Sequence, residues 1–484
     1  MSAPTFYWHD YETFGVDPSR DRPVQFAGLR TDLDLNPVGE PLVIYARPAN
    51  DFLPQPQACL VTGISPQQAL AEGLPECEFM ARIHAELARP GTCGVGYNSL
   101  RFDDEVTRYS LYRNFFDPYA REWQNGNSRW DIIDMLRTAW ALRPQGIEWP
   151  RREDGHASFR LEELTAANGI AHEAAHDALS DVYATIAMAR LLRERQPRLF
   201  NYLFGHRDKR SVSVLLDVAA MKPVLHVSGM FGAERHFTSL VVPLAVHPCN
   251  RNEIICYDLM VDPAPLVQMS PEDIQTLLYT RSEELPVGVE RPGLKSIHLN
   301  RCPVVVPAKM ADAAIATRIG LDGERCRRHL VTLREMRQQG DAQTWQQRWQ
   351  AIYSARALNE ITDPDRMLYS GGFFSDADRR TMDRIRTMAP AELAGQSFVF
   401  EDDRLAEMLF RYRARNYPDT LNEQEFGQWE DFRYQRLTDP AADAGLCLET
   451  WQQEIEALLA AGDLPADKEQ LLQDLLAYGD FLLA

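Results

Sequence analysis

The apolar pattern changes period along the chain, and the order of those changes constrains the fold more than any single motif. Near the start the pattern alternates. Residues 5–9 (TFYWH) read as a short aromatic strand, and PVQFAGLRTD, PLVIYARP and CGVGYN as further strands set off by turn residues. The period then lengthens. Residues 103–115 carry Val106, Tyr109, Leu111 and Tyr112 among charges, and WDIIDMLRTAWAL places Ile132, Ile133, Leu136, Trp140 and Ala141 at helical spacing. SFRLEELTAANGI predicts a helix closed by Gly169, and residues 177–194 a long Ala- and Leu-rich helix that stops near Pro197. Strands first, then helices packed on them, is an α/β layout. From about residue 198 the texture returns to short β-rich runs: VSVLLDV, PVLHVSG, TSLVVPLAV, EIICYDLMV and SIHLNRCPVVV. Past about 348 it is helical, with WQQEIEALLAAG and KEQLLQDLLAYGDFLL amphipathic. The expected domains are residues 1–197, 198–347 and 348–484. No low-complexity linker separates them, so close docking is expected.

Bulk properties exclude several classes. The formal net charge is −19 over 484 residues, which argues against a protein that coats nucleic acid through overall charge. The charge is segregated, however. Residues 291–337 hold ten Lys and Arg against four acids, whereas residues 440–484 hold nine acids and one Lys. A local basic groove can therefore coexist with an acidic whole, although Arg325 to Arg328 also suit a solvated helix face. The eight cysteines are scattered without a C-x-x-C pair, so buried thiols are expected rather than disulfides or zinc. The N-terminus lacks a basic segment followed by an apolar run, and no apolar run reaches about 18 residues. The expectation is a soluble, cytoplasmic protein with no membrane partner.

In HDYETFG, Asp10 and Glu12 sit two apart at a strand end, and period-two alternation puts both on one face. Two carboxylates pointing one way repel each other, and a divalent cation between them removes the repulsion. Asp103 opens the helix in RFDDEVTR, and Asp181 lies on the long helix in HDALSDVYA. His176, five residues before Asp181, could take a proton from water there. Four carboxylates can hold two cations about 3.5–4 Å apart, an arrangement that serves phosphodiester hydrolysis. Taken singly, an Asp-x-Glu is common at solvated strand ends, and His-x4-Asp at helix caps. Their joint order carries the weight.

At this point the sequence resembles the DEDD exonuclease superfamily in its His-containing branch, and within it the bacterial exonuclease I family. HDYETFG, GYNSLRFDDEVTR, NSRWDIIDM, SFRLEELTAANGI and AHDALSDVYATIAMA carry the likeness. It continues through MKPVLHVSGMFGAER, YSGGFFSDADRR and FRYRARNYPDTL. The resemblance implies an RNase H-like (DnaQ-like) mixed-sheet exonuclease core, an SH3-like β domain and a C-terminal α-helical domain. It implies two Mg²⁺ ions, with Mn²⁺ as an alternative. Their ligands would be Asp10, Glu12 and Asp181, with Asp103 completing the set and His176 as general base. It also implies a monomer that digests single-stranded DNA from the 3′ end to 5′-mononucleotides in DNA repair.

A single strand is held by aromatic stacking and by basic side chains along its backbone. Arg108, Tyr119, Trp123, Arg137, Phe159 and Arg160 suit that path, and Arg160 resembles the family's contact to the scissile phosphate. Glu12 would face the substrate as well as the metal. Trp130 and Trp140 are expected in the core. Lys222, Tyr202, Arg143 and Arg334 match the family's pocket for the acidic C-terminal tail of single-stranded-DNA-binding protein. Two other readings stay open: a 3′→5′ exoribonuclease of the same superfamily, and a non-catalytic module that binds single strands or protein.

Overall fold

The computed structural model describes residues 3–172, 177–286, 288–353, 361–442 and 445–483. Its contacts form two compact units. The first comprises Met1–Ser128, His172–Ile186 and Asn359–Ala484, and the second Arg129–Ala171 and Ala187–Leu358.

The first unit is built on strand β1 (Thr5–Thr13). It pairs antiparallel with β2 (Pro23–Thr31) and parallel with β4 (Thr92–Gly96), and β3 (Leu42–Tyr45) lies outside β2. The strand extends past the expected TFYWH and takes in both Asp10 and Glu12. Alternation sorts its side chains. Tyr7 and Tyr11 join Phe26, Phe79, Met80 and Ile83 in an apolar core, which the helix Glu76–Leu87 helps to form. Asp10 and Glu12 therefore point to the other face. Two residues of β2 stand opposite them in register: Ala27 across from Asp10 and Gln25 across from Glu12.

The expected helices are present at Asp103–Arg113, Ile132–Leu142, Leu161–Ala167 and Ala178–Arg195. Gly169 has the left-handed φ of +65° that closes the third of these. The C-terminal helices include Arg404–Asn416, Glu423–Thr438, Leu448–Ala460 and Ala466–Leu483. Trp451, Ile455, Leu472, Leu475 and Tyr478 share one core with Phe14, Val24, Phe52 and Cys59, which explains why both ends of the chain fall in one unit.

In the second unit, β5 (Val224–Val227), β6 (Thr238–Val246), β7 (Glu253–Asp258), β8 (Leu294–His298) and β9 (Val304–Pro307) form an antiparallel sheet. Its order is β9-β5-β6-β7-β8. The β-rich reading holds here with one correction. VSVLLDV is not a strand: Lys209–Leu215 is helical, because the Asp208 carboxylate caps the Arg210 and Ser211 N–H groups. Helices Gly323–Gln339 and Ala342–Ile352 cover the sheet through Leu333, Trp349 and Ile352. Among the described residues, no helix is long and apolar enough to cross a membrane.

Candidate metal and active site

The carboxylates converge at the end of β1. Ligand atoms of Asp10, Glu12 and Asp181 all lie within 4.8 Å of one another. Asp10 and Glu12 owe this to the strand alternation, and Asp181 to the first turn of the helix Ala178–Arg195. Gln25 ties that helix to the sheet. Its Oε1 accepts from the Ala178 N–H at 3.2 Å, and its Nε2 donates to Asp177 at 3.3 Å. Asp103 is buried beside the trio, and its Oδ1 accepts the Tyr11 N–H at 3.1 Å. This bond fixes the start of Asp103–Arg113 against β1. His176 lies outside the described residues. His172, which sequence reasoning passed over, places Nε2 2.6 Å from Asp181 Oδ1, with its side chain only 4% exposed. A histidine nine residues from a carboxylate carries no periodic signal that pattern reading could have found.

The electrostatics test whether this set suits a cation. Burial pushes the Asp10 carboxyl well above its usual range, and Asp103, Asp181, Glu12 and Asp177 push the same way. Glu12 is pushed up to about 8, by burial first and then by Asp181, Asp103 and Asp177. The charged groups acting most strongly on both are thus all carboxylates. Hard oxygen donors, buried together without a balancing Lys or Arg among those groups, fit a divalent cation.

A pH dependence follows. In the metal-free folded protein Glu12 keeps a proton that the unfolded chain loses above its ordinary value of 4.5. Stability should therefore fall as pH rises from about 4.5 to 8, because the folded state binds more protons across that window. Thermal melts in EDTA should show this decline. Glu12→Gln should flatten it, and added Mg²⁺ should stabilise most at pH 8. Identical pH profiles for wild type and Glu12→Gln in EDTA would contradict the assignment.

The other expected residues separate into presented and buried. In the first unit Trp123 is 65% exposed. Arg108 is buried instead, donating to Glu122 at 2.8 and 2.9 Å and to Glu105 at 2.7 Å, with its guanidinium over the Tyr119 ring. It is thereby turned inward as a brace, away from a path along the surface. In the second unit the Arg160 side chain is 74% exposed. Phe159 packs edge-on to Phe237, and Arg137 lies over both rings while paired to Asp134. Trp130 is buried as expected, whereas Trp140 is half-buried against His236 and Trp149.

Of the four tail-pocket candidates, Lys222 and Arg334 are both exposed, and Arg334 donates to the Met221 carbonyl at 3.2 Å, one residue from Lys222. Tyr202 donates to the Val305 carbonyl at 3.3 Å and stacks on His206. Arg143 is half-buried, donating to the Leu142 carbonyl at 2.5 Å. Arg325 and Arg328 pair with Asp322 and Glu324 on an exposed helix face, the solvated alternative for that basic run.

Family profiles match as Exonuclease over residues 7–189, Exonuclease I SH3-like domain over 207–355 and Exonuclease I C-terminal domain over 362–482. The chain is 47% identical over 477 residues to exodeoxyribonuclease I of Escherichia coli strain K12, covering 98% of each. The structure matches an exonuclease I from Methylocaldum szegediense with TM-score 0.94 and 51% identity, covering both chains fully. It matches E. coli exonuclease I in complex with a dA16 oligonucleotide with TM-score 0.94 and 46% identity, over 99% of this chain and 100% of that one. It also matches a structure of SSB/exonuclease I in complex with an inhibitor, with TM-score 0.90 and 46% identity over 99% of this chain and 100% of that one. The chain belongs to the exodeoxyribonuclease I family.

Proposed function

We propose that the protein removes 5′-mononucleotides from the 3′ end of single-stranded DNA in repair or recombination, using Mg²⁺. The observation that carries this is the convergence of buried Glu12 with half-buried Asp10 and Asp181 at a strand end. These three, with Asp103, would hold the cations. Divalent ions bound by such a set supply water activation and neutralise charge on the departing 3′ oxygen. The protein's own residues do the rest. Gln25 and His172 hold the helix and the carboxylate of Asp181 in place. His176 would accept the proton of the attacking water. Arg160 offers an exposed guanidinium fork for phosphate oxygens, and Phe159 and Trp123 offer rings to bases. The same reading divides the chain after residues 197 and 347, and makes it a cytoplasmic monomer.

End-labelled digestion tests the reading. Strands blocked at the 3′ end should resist, strands blocked at the 5′ end should be consumed, and duplex should survive. EDTA should stop release. Resistance of 5′-blocked strands would reverse the polarity. Matched RNA strands decide the sugar preference, because the 2′-OH is the group a site must accept or reject.

A second surface is part of the proposal. Lys222 and Arg334 side by side would receive the acidic C-terminal tail of single-stranded-DNA-binding protein, with Tyr202 and Arg143 completing the pocket. Support comes from the exposed cations and from the SSB/exonuclease I structure of the relative. Lys222→Ala should weaken binding of a tail peptide roughly five- to ten-fold, the effect of removing one rim charge. Hydrolysis of free oligonucleotide should persist. Unchanged peptide affinity would remove this surface from the account.

A further inference from the structure

Gln25 brings a polar amide into β2, where every residue is buried, so its donors and acceptor need partners. The Nε2 group donates to the Tyr45 hydroxyl of β3 at 3.0 Å and to Asp177 Oδ1 at 3.3 Å. The Oε1 atom accepts from the Ala178 N–H at 3.2 Å. Two donors and an acceptor satisfied at once leave the amide a single orientation. The strand register sets Gln25 across from Glu12, so this clasp stands beside the metal ligands.

The clasp takes hold of a carboxylate that also caps a helix. Asp177 Oδ2 accepts the Ser180 N–H at 3.1 Å, and the Asp177 carbonyl accepts the Asp181 N–H at 3.0 Å. With Oδ1 held by Gln25 and Oδ2 by the cap, each carboxylate oxygen has a donor. Asp177 also lies outside the trio whose ligand atoms meet within 4.8 Å. Its charge still reaches that trio. Burial is the largest cause of the raised Asp10 and Glu12 carboxyls, and Asp177 comes last among the carboxylates that add to it.

A helix cap does not require this charge. Ser, Thr and Asn accept the same N–H bond without it. In the metal-free protein the charge adds to the repulsion among Asp10, Glu12, Asp103 and Asp181. A divalent cation reverses the sign, because it is drawn by five carboxylates instead of four. Asp177 and Asp181 are four residues apart and so share a helix face. Without the clasp, the first would compete with the second for the ion.

We propose that Asp177 is a positioning residue of the metal centre: kept from ligation by Gln25 and the Ser180 N–H, its carboxylate strengthens cation binding from outside the ligand set. The proposal rests on the metal-dependent reading above.

The test uses the full-length protein and reads Mg²⁺ binding in two ways. One is the Mg²⁺ concentration for half-maximal nucleotide release. The other is the rise in melting temperature on replacing EDTA by Mg²⁺. Asp177→Asn and Asp177→Ser keep a cap acceptor and remove the charge. Both should raise the Mg²⁺ midpoint roughly three- to ten-fold, the effect of one partly screened charge on a divalent ion. Both should also shrink the Mg²⁺-induced rise in melting temperature, and KM for the strand should move less than the Mg²⁺ midpoint. Adding Gln25→Glu to Asp177→Asn moves the negative charge across the same hydrogen bond, with the new amide as donor. That double variant should bring the midpoint and the melting increment back toward wild type. A residue that only supported the fold would lower the melts with and without Mg²⁺ alike. That result, or an unchanged midpoint and increment, would overturn the proposal while Asp10→Asn still abolishes release. Absence of release and of Mg²⁺ stabilisation in the wild type, with Asp10→Asn behaving alike, would instead overturn the reading beneath it.

Discussion

Asp10→Asn should lower nucleotide release from 3′-labelled single strands by roughly 10³-fold or more, while raising the melting temperature in EDTA. The two effects have one cause. Asp10 sits within ligand distance of Glu12 and Asp181, and its carboxyl feels burial and then four neighbouring carboxylates. Removing its charge withdraws a ligand from the cation, and metal stabilisation worth several kcal/mol corresponds to several factors of ten in rate. In the metal-free protein the same change deletes one member of a repelling cluster, so the fold gains. A residue that merely supported the fold would move both readouts downward. Activity should be measured with saturating Mg²⁺ and stability by thermal melts with and without EDTA. Retained activity, or a lower melting temperature in EDTA, would refute this account of Asp10.

Much of this centre is legible in the sequence, and the limits of that legibility have physical causes. Alternation alone placed Asp10 and Glu12 on one face, because a strand has a fixed period and β1 obeys it. Helical spacing placed Asp103 and Asp181 on helices for the same reason. Gln25 was not legible as the clasp of the second helix. Its role depends on standing across from Glu12 in the strand register, which no local pattern states. VSVLLDV misled because its valines favour strands in general, whereas the Asp208 cap decides the local outcome. Arg108 read as a phosphate ligand because charge suggests exposure. Two glutamates, one of them fourteen residues on, neutralise it and allow its burial. YSGGFF spelled out three aromatic rings but not their directions, since the adjacent Phe373 and Phe374 diverge only when Arg404 and Tyr112 claim the second of them.

The second large effect concerns stability far from the chemistry. Asp51, which follows β3, is fully buried and receives Arg415 at 2.8 Å, with Arg436 at 3.7 Å. Arg415 also holds Asp365 at 2.8 Å, and Asp363 takes Arg411 and Arg436 at 2.6 and 3.0 Å. Arg22 is buried beside them and pushed down to about 9, by burial first and then by Arg113 and Arg415. The network joins residues near the start of the chain to the helices Arg404–Asn416 and Glu423–Thr438. Replacing all of it by apolar groups need not cost stability, but removing one partner strands the others. Asp51→Ala leaves Arg415 and Arg436 with one buried carboxylate fewer, and should cost about 3–5 kcal/mol. The pH dependence has a definite sign. Burial alone would raise Asp51 and Asp365, but the arginines outweigh it and hold both far below the ordinary 3.8. Their contribution is therefore complete above that value and lost as pH falls beneath it toward the folded-state values. Denaturant melts at pH 7 and pH 3 should show the difference between wild type and Asp51→Ala shrinking in acid. A cost under about 1 kcal/mol at neutral pH would show that water or rearranged side chains replace Asp51. In that case apolar packing, such as the shared core of Trp451, Leu472 and Phe52, would carry the joining of the two ends of the chain at this place.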